Sequence, residues 1–181
     1  RYSEIAHLDV QKQRLGRYAE SNSLEAVRPV VLIAEVPWGE IREDALTNTC
    51  APELGWLETP LRQTLYQWEH FQGDLVVPPV LRVAKRSRWA TGIGVGVQDK
   101  TIKGDTGAYI SSHEYTDQLQ TEADLAKLQL PEITYDKEAS EQALATASEV
   151  FAGLMEIELT GTGSLAYNIW DRISTLRGVD S

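Results

Sequence analysis

The feature that most constrains this chain is the run Val30-Val31-Leu32-Ile33-Ala34. It is short, rich in β-branched residues, and apolar at odd and even positions alike. A strand with one face in water alternates. A strand covered on both faces, as in a parallel sheet between helices, reads as an unbroken apolar stretch. Pro37-Trp38-Gly39 closes the run. Leu75-Val76-Val77 repeats the pattern and stops at Pro78-Pro79, residues that cannot donate to a central ladder. A third strand reads from Met155 to Thr160, where Glu156 and Glu158 alternate with Met155, Ile157 and Leu159 and leave one face polar. The expectation is mainly parallel core strands near 30–36, 75–78 and 155–160.

Helical patterns separate them. Residues 3–20 carry Ile5, Leu8, Leu15 and Tyr18 at helical spacing. Residues 53–72 carry Leu54, Leu57, Leu61, Leu65 and Trp68 as a stripe, with a helix start at Thr59-Pro60 and a stop at Gly73. Residues 92–112 alternate Gly or polar residues with Ile93, Val95 and Val97, the mark of an irregular β excursion. Thr121-Glu-Ala-Asp124 resembles a capping box opening a short helix through Leu128. Asp136 caps a helix to about Ala152, with Leu144, Ala147, Val150 and Phe151 inward and Gly153 as its stop. A last helix spans about 168–177 and ends at Gly178. Strands separated by helices make parallel βαβ units, so the class is α/β. A complete (β/α)8 barrel takes about 250 residues. The 181 residues here therefore hold part of one, as a single partial domain over 1–181, with a small three-layer α/β domain as the competing architecture. No internal repeat, low-complexity tract or linker interrupts the chain.

Composition narrows the function classes. The net charge of -10 disfavours nucleic acid, whose binders present a basic face. Most of it lies between Glu114 and Glu158, where eleven acidic residues face two lysines. The opposite run is Arg82, Lys85, Arg86 and Arg88, read as solvated surface or as an anion-binding loop. No apolar run approaches the roughly 20 residues of a membrane span. Cys50 is the single cysteine, which excludes an intrachain disulfide and a CxxC zinc site. RYSEIAHLDV lacks a signal-peptide core and starts without Met, so residues are expected to precede it and the reading is cytoplasmic.

Single motifs are weak. Gly92-Ile-Gly94-Val-Gly96 is not G-x-G-x-x-G and opens no helix; a bulged segment is the better reading. There is no P-loop, and no G-x-S-x-G around Ser111, Ser112 or Ser164. His113 and Asp117 would lie one turn apart on a helix, short of the three or four ligands a metal needs. No metal site is expected in this chain.

Parallel α/β folds bind ligands beyond the carboxyl ends of their strands. After the first strand that rule selects Glu35 and Trp38, with Pro37 and Glu40. After the second it selects Arg82 and Arg86, and after the third Tyr167 and Asp171, with Thr162 and Trp170 nearby. Trp38 would stack on a planar substrate, and Glu35 would hydrogen-bond a polar group or hold a cation. The structural alternative has Trp38 filling the barrel mouth and Glu35 paired with an arginine.

Four segments together resemble the uroporphyrinogen decarboxylase superfamily, especially its divergent bacterial members. They are RPVVLIAEVPWGEI (28–41), LRQTLYQWEHFQGDLVVPPVLRV (61–83), SHEYTDQLQTEADLAKLQLPEITYD (112–136) and LTGTGSLAYNIWDRISTLRGV (159–179). The resemblance implies the N-terminal part of a (β/α)8 barrel. It further implies that the complete protein works either as a methyltransferase exchanging methyl groups with a corrinoid protein or as a decarboxylase-like lyase. A non-catalytic barrel or assembly fragment is the remaining reading. The porphyrin decarboxylases place an arginine-containing, glycine-rich segment after the first strand and an aspartate beyond the second. Here those positions read Ala34-Glu35-Val36-Pro37-Trp38 and Pro78-Pro79-Val80. Glu35 near the pocket mouth would repel a polycarboxylate, which favours methyl transfer over a small substrate. The lyase alternative would hold a smaller anion on Arg82 or Arg86. The zinc ligands of the methyltransferase branch lie in the later part of its barrel, so no catalytic residue carries over and this chain alone is expected to lack turnover. Its open edge is expected to be covered by the missing C-terminal part, a second copy or a partner chain.

Overall fold

The computed structural model describes residues 1–42, 44–71, 73–102, 111–161 and 168–178. The elements run α1 (Tyr2–Ala6), α2 (Asp9–Asn22), α3 (Gly55–His70), β1 (Val80–Ala84), β2 (Ser87–Trp89), β3 (Asp99–Ile102), β4 (Ser112–Tyr115), β5 (Ile133–Tyr135), α4 (Lys137–Val150), β6 (Glu156–Thr160) and α5 (Ile169–Arg177). Short 3-10 turns lie at Trp38–Glu40, Asp44–Leu46, Pro52–Leu54 and Glu122–Lys127. The fold is mixed α/β, with three two-stranded sheets among the described residues. β1 and β6 pair in parallel, while β2–β5 and β3–β4 are antiparallel. The residues divide into two compact units, Arg1–Arg82 with Ala145–Glu158, and Val83–Leu144 with Leu159–Ser181. No helix of the described residues is long and apolar enough to cross a membrane.

In the first unit, Ile5, Ala6 and Val77 form a buried cluster against Tyr2, Leu65, Trp68 and Leu75. The helix expected over 3–20 is present but breaks after Ala6, and its inner face carries Gln11 while Leu8 and Leu15 are exposed. Gln11 is buried because its amide joins two otherwise separate backbones. Its Nε2 donates to the Ile5 carbonyl at 3.2 Å, and its Oε1 accepts from the Val77 N–H at 3.0 Å. Arg14 acts alongside it, donating to the Leu75 carbonyl at 2.5 Å with its guanidinium 4.7 Å from the Trp68 ring.

These bonds correct one expected strand. Val77 is buried at 1% exposure and Leu75 and Val76 are half-buried, but residues 75–77 form no ladder. Side chains of α2 take the backbone groups that a neighbouring strand would have used. The strand forms only after Pro78-Pro79, as β1.

The run 30–36 is the second correction. It has no strand pairing, and Val31, Leu32 and Ile33 are 53%, 49% and 43% exposed. The Val31 N–H donates to Asp74 Oδ2 at 2.9 Å, and the Val31 carbonyl accepts from the Asp74 N–H at 2.7 Å. Gln67 on α3 donates to the Ile33 carbonyl at 2.9 Å. The segment is thus fastened to the end of α3 and the loop beyond it. Gly73 permits that closeness, because a Cβ there would lie 2.9 Å from the Val31 carbonyl oxygen.

Asp74, 2% exposed, is the centre of this arrangement. Arg28 grips it with two bonds, Nη1 to Oδ2 at 2.8 Å and Nη2 to Oδ1 at 2.6 Å. Arg17 on α2 is a further ion-pair partner. Arg28 foremost, then the Val31 N–H and Arg17, holds the Asp74 carboxyl well below the usual carboxylate range.

α3 carries its stripe inward, with Leu57 and Tyr66 buried. It begins at Gly55 and runs through Pro60, where a fresh start had been expected. The 3-10 turn Pro52–Leu54 leads directly into it, so one continuous element buries both Leu57 and Tyr66.

β6 falls where the third strand was expected, its glutamates exposed and Ile157 and Leu159 half-buried. The parallel contact with β1 includes Glu156 N–H to the Pro79 carbonyl at 3.4 Å in the first unit and Lys85 N–H to the Thr160 carbonyl at 3.1 Å in the second. One parallel pair replaces the three parallel strands expected.

In the second unit, Asp136 caps α4 as expected, accepting from the Ala139 N–H at 3.1 Å. The inner face of this part of α4 is Ser140 and Ala143, and in its first-unit part Ala147 is buried while Val150 is exposed. Small residues bring the helix close to backbone: Ser140 Oγ accepts from the Arg86 N–H at 2.9 Å and donates to the Asp136 carbonyl at 2.7 Å. The excursion over 92–112 resolves into β3, β4 and connecting segments; 103–110 lie outside the described residues. Thr121 and Asp124 form the expected capping box on the 3-10 turn, with the Thr121 N–H and hydroxyl each 2.8 Å from Asp124 Oδ2. α5 ends at Gly178, whose φ of 85° suits a residue without a Cβ.

Two outcomes follow. Leu57→Ala is expected to cost roughly 2–5 kcal/mol, read from urea midpoints, as buried leucine truncations do. Asp74 has a depressed pKa in the fold, so its stabilisation is complete above the ordinary aspartate pKa of about 4 and is lost as pH falls below it. Urea midpoints are expected to hold from pH 7 to 5 and drop toward pH 3. In Asp74→Asn the pH 7 midpoint is lower and the acid drop smaller.

Candidate functional site

The residues selected at strand ends are placed as follows. In the first unit, Glu35 is exposed on the extended segment that precedes the Trp38–Glu40 turn. Trp38 is half-buried, its N–H donating to the Val36 carbonyl at 2.8 Å. Its ring meets Tyr66 of α3 edge-on, with centroids 6.0 Å apart and planes at 79°. Tyr66 also touches His70 at 4.2 Å and Phe71 at 5.9 Å, so Trp38 belongs to an aromatic group built on the C-terminal half of α3. Arg82, on β1, pairs with Glu158 of β6 at 3.3 Å. Its contact lies on the parallel sheet and that of Trp38 on α3.

In the second unit, Arg86 is exposed between β1 and β2. Asp171 sits in the first turn of α5, where the Asn168 amide donates to it. Tyr167 and Thr162 lie outside the described residues. The basic run reads differently in three dimensions. Arg82 pairs with Glu158, Lys85 lies 5.7 Å from the centre of the Tyr135 ring, and Arg88 donates to Asp136 at 2.7 Å. Arg82, Lys85 and Arg88 thus serve contacts within the fold.

The glycine motif has a structural role. Gly94 has φ 85°, and a Cβ there would fall 2.0 Å from the Lys127 carbonyl oxygen. The Gln129 N–H donates to the Ile93 carbonyl at 2.9 Å, so this segment lies against the 127–129 backbone. Glycine is required by that approach and by the sign of φ.

Two groupings escaped the sequence. The first is around Glu58 of α3. Its carboxylate accepts from the Thr49 N–H at 2.9 Å, the Thr49 hydroxyl at 3.0 Å, the Cys50 N–H at 2.8 Å and Arg62 Nε at 2.7 Å. The Cys50 thiol and N–H, then Arg62 and Thr49, hold its carboxyl well below the usual range. In return Glu58 pushes the Cys50 thiol up. The carboxylate works as a clamp on the 45–50 loop, and the thiol beside it is a poor nucleophile.

The second lies on the β3–β4 ladder. His113 had been placed one helical turn from Asp117; instead it stands in β4 opposite Thr101. Its Nδ1 is 2.5 Å from Asp99 Oδ2 on β3, and its Nε2 is 3.5 Å from the Ser111 hydroxyl. Ser111 and His113 show the two-residue spacing of one strand face. Asp99 joins them only through the register Asp99↔Tyr115, Thr101↔His113.

A cavity of about 430 Å³ in the first unit is lined by His7, Pro79, Gly153, Leu154, Met155 and Glu156. It lies at the N-terminal ends of β1 and β6. Among the described residues no group of three or more His, Cys, Asp or Glu is placed to hold a metal ion.

No known family model, characterised protein or solved structure matches the chain.

The clamp yields a direct test. Glu58→Gln removes the charge that disfavours the Cys50 thiolate, so alkylation of Cys50 by iodoacetamide at pH 8 is expected to quicken several-fold over the parent chain.

Proposed function

We propose that the chain is the N-terminal portion of a uroporphyrinogen decarboxylase-like barrel, and that the complete protein moves a methyl group between a small substrate and a corrinoid protein. The observation that carries this reading is the resemblance spread over 28–41, 61–83, 112–136 and 159–179. The parallel pairing of β1 with β6 is compatible with that reading.

In this proposal the chain contributes substrate binding. Trp38, anchored edge-on by Tyr66 and half-buried, offers the remainder of its ring to a planar group. Glu35, exposed beside it in sequence, accepts a hydrogen bond from the substrate or balances a positive charge. Arg86 and Asp171 are separate candidate polar contacts within the second unit, and Tyr167 lies outside the described residues. Among the described residues no group of three or more His, Cys, Asp or Glu is placed to hold zinc. When bound, zinc lowers the pKa of a thiol or activates an oxygen leaving group. The lyase alternative would hold its anion on Arg82 or Arg86, of which Arg82 is paired with Glu158.

The test uses the full-length protein. Expected results are retention of about one zinc per chain and methylation of a reduced corrinoid by a methyl donor, followed optically. Trp38→Ala is expected to weaken substrate binding at least several-fold while the folded fraction stays intact. Zinc-free protein that neither methylates corrinoid nor loses affinity in Trp38→Ala would overturn the proposal.

A further inference from the structure

The Asp99–His113–Ser111 arrangement has a direction built into it. A carboxylate oxygen can only accept, so at 2.5 Å from Asp99 Oδ2 the His113 Nδ1 must carry the proton. In the neutral ring that leaves the lone pair on Nε2, the nitrogen 3.5 Å from the Ser111 hydroxyl. The Ser111 O–H then donates to Nε2. Carboxylate, imidazole and hydroxyl are thereby aligned in the order that nucleophilic catalysis uses.

The rest of the ladder holds this order in place. The His113 and Tyr115 rings stack with centroids 6.0 Å apart and planes 12° from parallel. The Thr101 hydroxyl lies 3.5 Å from the same Asp99 oxygen. The neighbouring pair of opposite charge, Lys100 and Glu114 at 3.7 Å, belongs to the alternate positions of the two strands and so faces away. The imidazole is 40% exposed, which leaves it open to a small acyl substrate.

We propose that Ser111 is a nucleophile activated by His113 and positioned through Asp99, and that it accepts acyl groups from small activated esters. The Ser111 Oγ attacks the ester carbonyl carbon while its proton passes to His113 Nε2. The carbon–oxygen bond to the leaving group breaks, and the leaving group departs with the electron pair, taking the proton from Nε2 or leaving it to solvent. Water then attacks the acyl-serine, with its proton taken by Nε2, and the Ser111 hydroxyl is regenerated as the carboxylic acid departs. No oxidant or metal enters the balance. This activity is independent of the methyl-transfer proposal, since it needs only residues of this chain.

The probe is p-nitrophenyl acetate at pH 8, with release of p-nitrophenolate followed by absorbance and the acetylated residue located by mass spectrometry. Acetylation is expected on Ser111 in preference to Ser112. His113→Gln is expected to slow it by about 10²-fold or more, the usual contribution of a positioned general base. Asp99→Asn is expected to give a comparable loss, because the amide no longer requires the Nδ1–H tautomer. Circular dichroism checks that each variant is folded, and the location of the label in the parent chain decides the matter by itself. Acetyl groups found only on lysines or on Ser112, or a Ser111 rate unchanged in folded His113→Gln, would overturn the proposal.

Discussion

The first unit depends on one buried carboxylate. Asp74 has almost no contact with water, and a lone charge there would be severely unfavourable. It is tolerable because Arg28 meets it with two parallel bonds, Arg17 approaches from α2, and the Val31 N–H fills a remaining acceptor site. Each partner belongs to a different part of the chain. Satisfying one charge therefore fixes α2, the 28–31 segment and the turn after α3 together. Removing a partner would leave the rest of a dry ionic group unpaired, the costly case for buried ion pairs.

The same logic recurs wherever backbone would otherwise go unsatisfied. Gln11 and Arg14 serve the 75–77 backbone, Gln67 serves Ile33, Glu58 serves Thr49 and Cys50, and Ser140 serves Arg86. Polar side chains from helices thus perform work that a wider sheet would do through ladders. This accounts for a chain with several apolar runs and only two-stranded sheets among its described residues. It also accounts for the behaviour of the basic run at 82–88, where Glu158, the Tyr135 ring and Asp136 engage Arg82, Lys85 and Arg88.

Two chemically distinct regions emerge. Trp38 and Glu35 lie on a segment attached to α3, with the Trp38 ring against Tyr66 and Glu35 exposed. Ser111, His113 and Asp99 lie on a ladder and suit proton transfer. The sequence singled out the first because it follows an apolar run read as a parallel strand, and that run forms no strand in the fold. It did not single out the second, because Asp99 and His113 are fourteen residues apart and only strand pairing brings them together.

What the sequence by itself determined were the features written in local chemistry. Helical stripes placed α3, Asp136 and Gly178 marked the ends of α4 and α5, Thr121 and Asp124 made their capping box, and the alternation of glutamates marked β6. Caps and periodicity act within a few residues, so the local order is enough to read them. Only the tertiary structure decided whether an apolar run would become a strand. A strand exists when another backbone supplies its hydrogen bonds, and Val30–Ala34 and Leu75–Val77 found side chains and a loop first. The same holds for His113, whose partner was chosen by the register of β3 on β4, a property of two segments that no single segment contains.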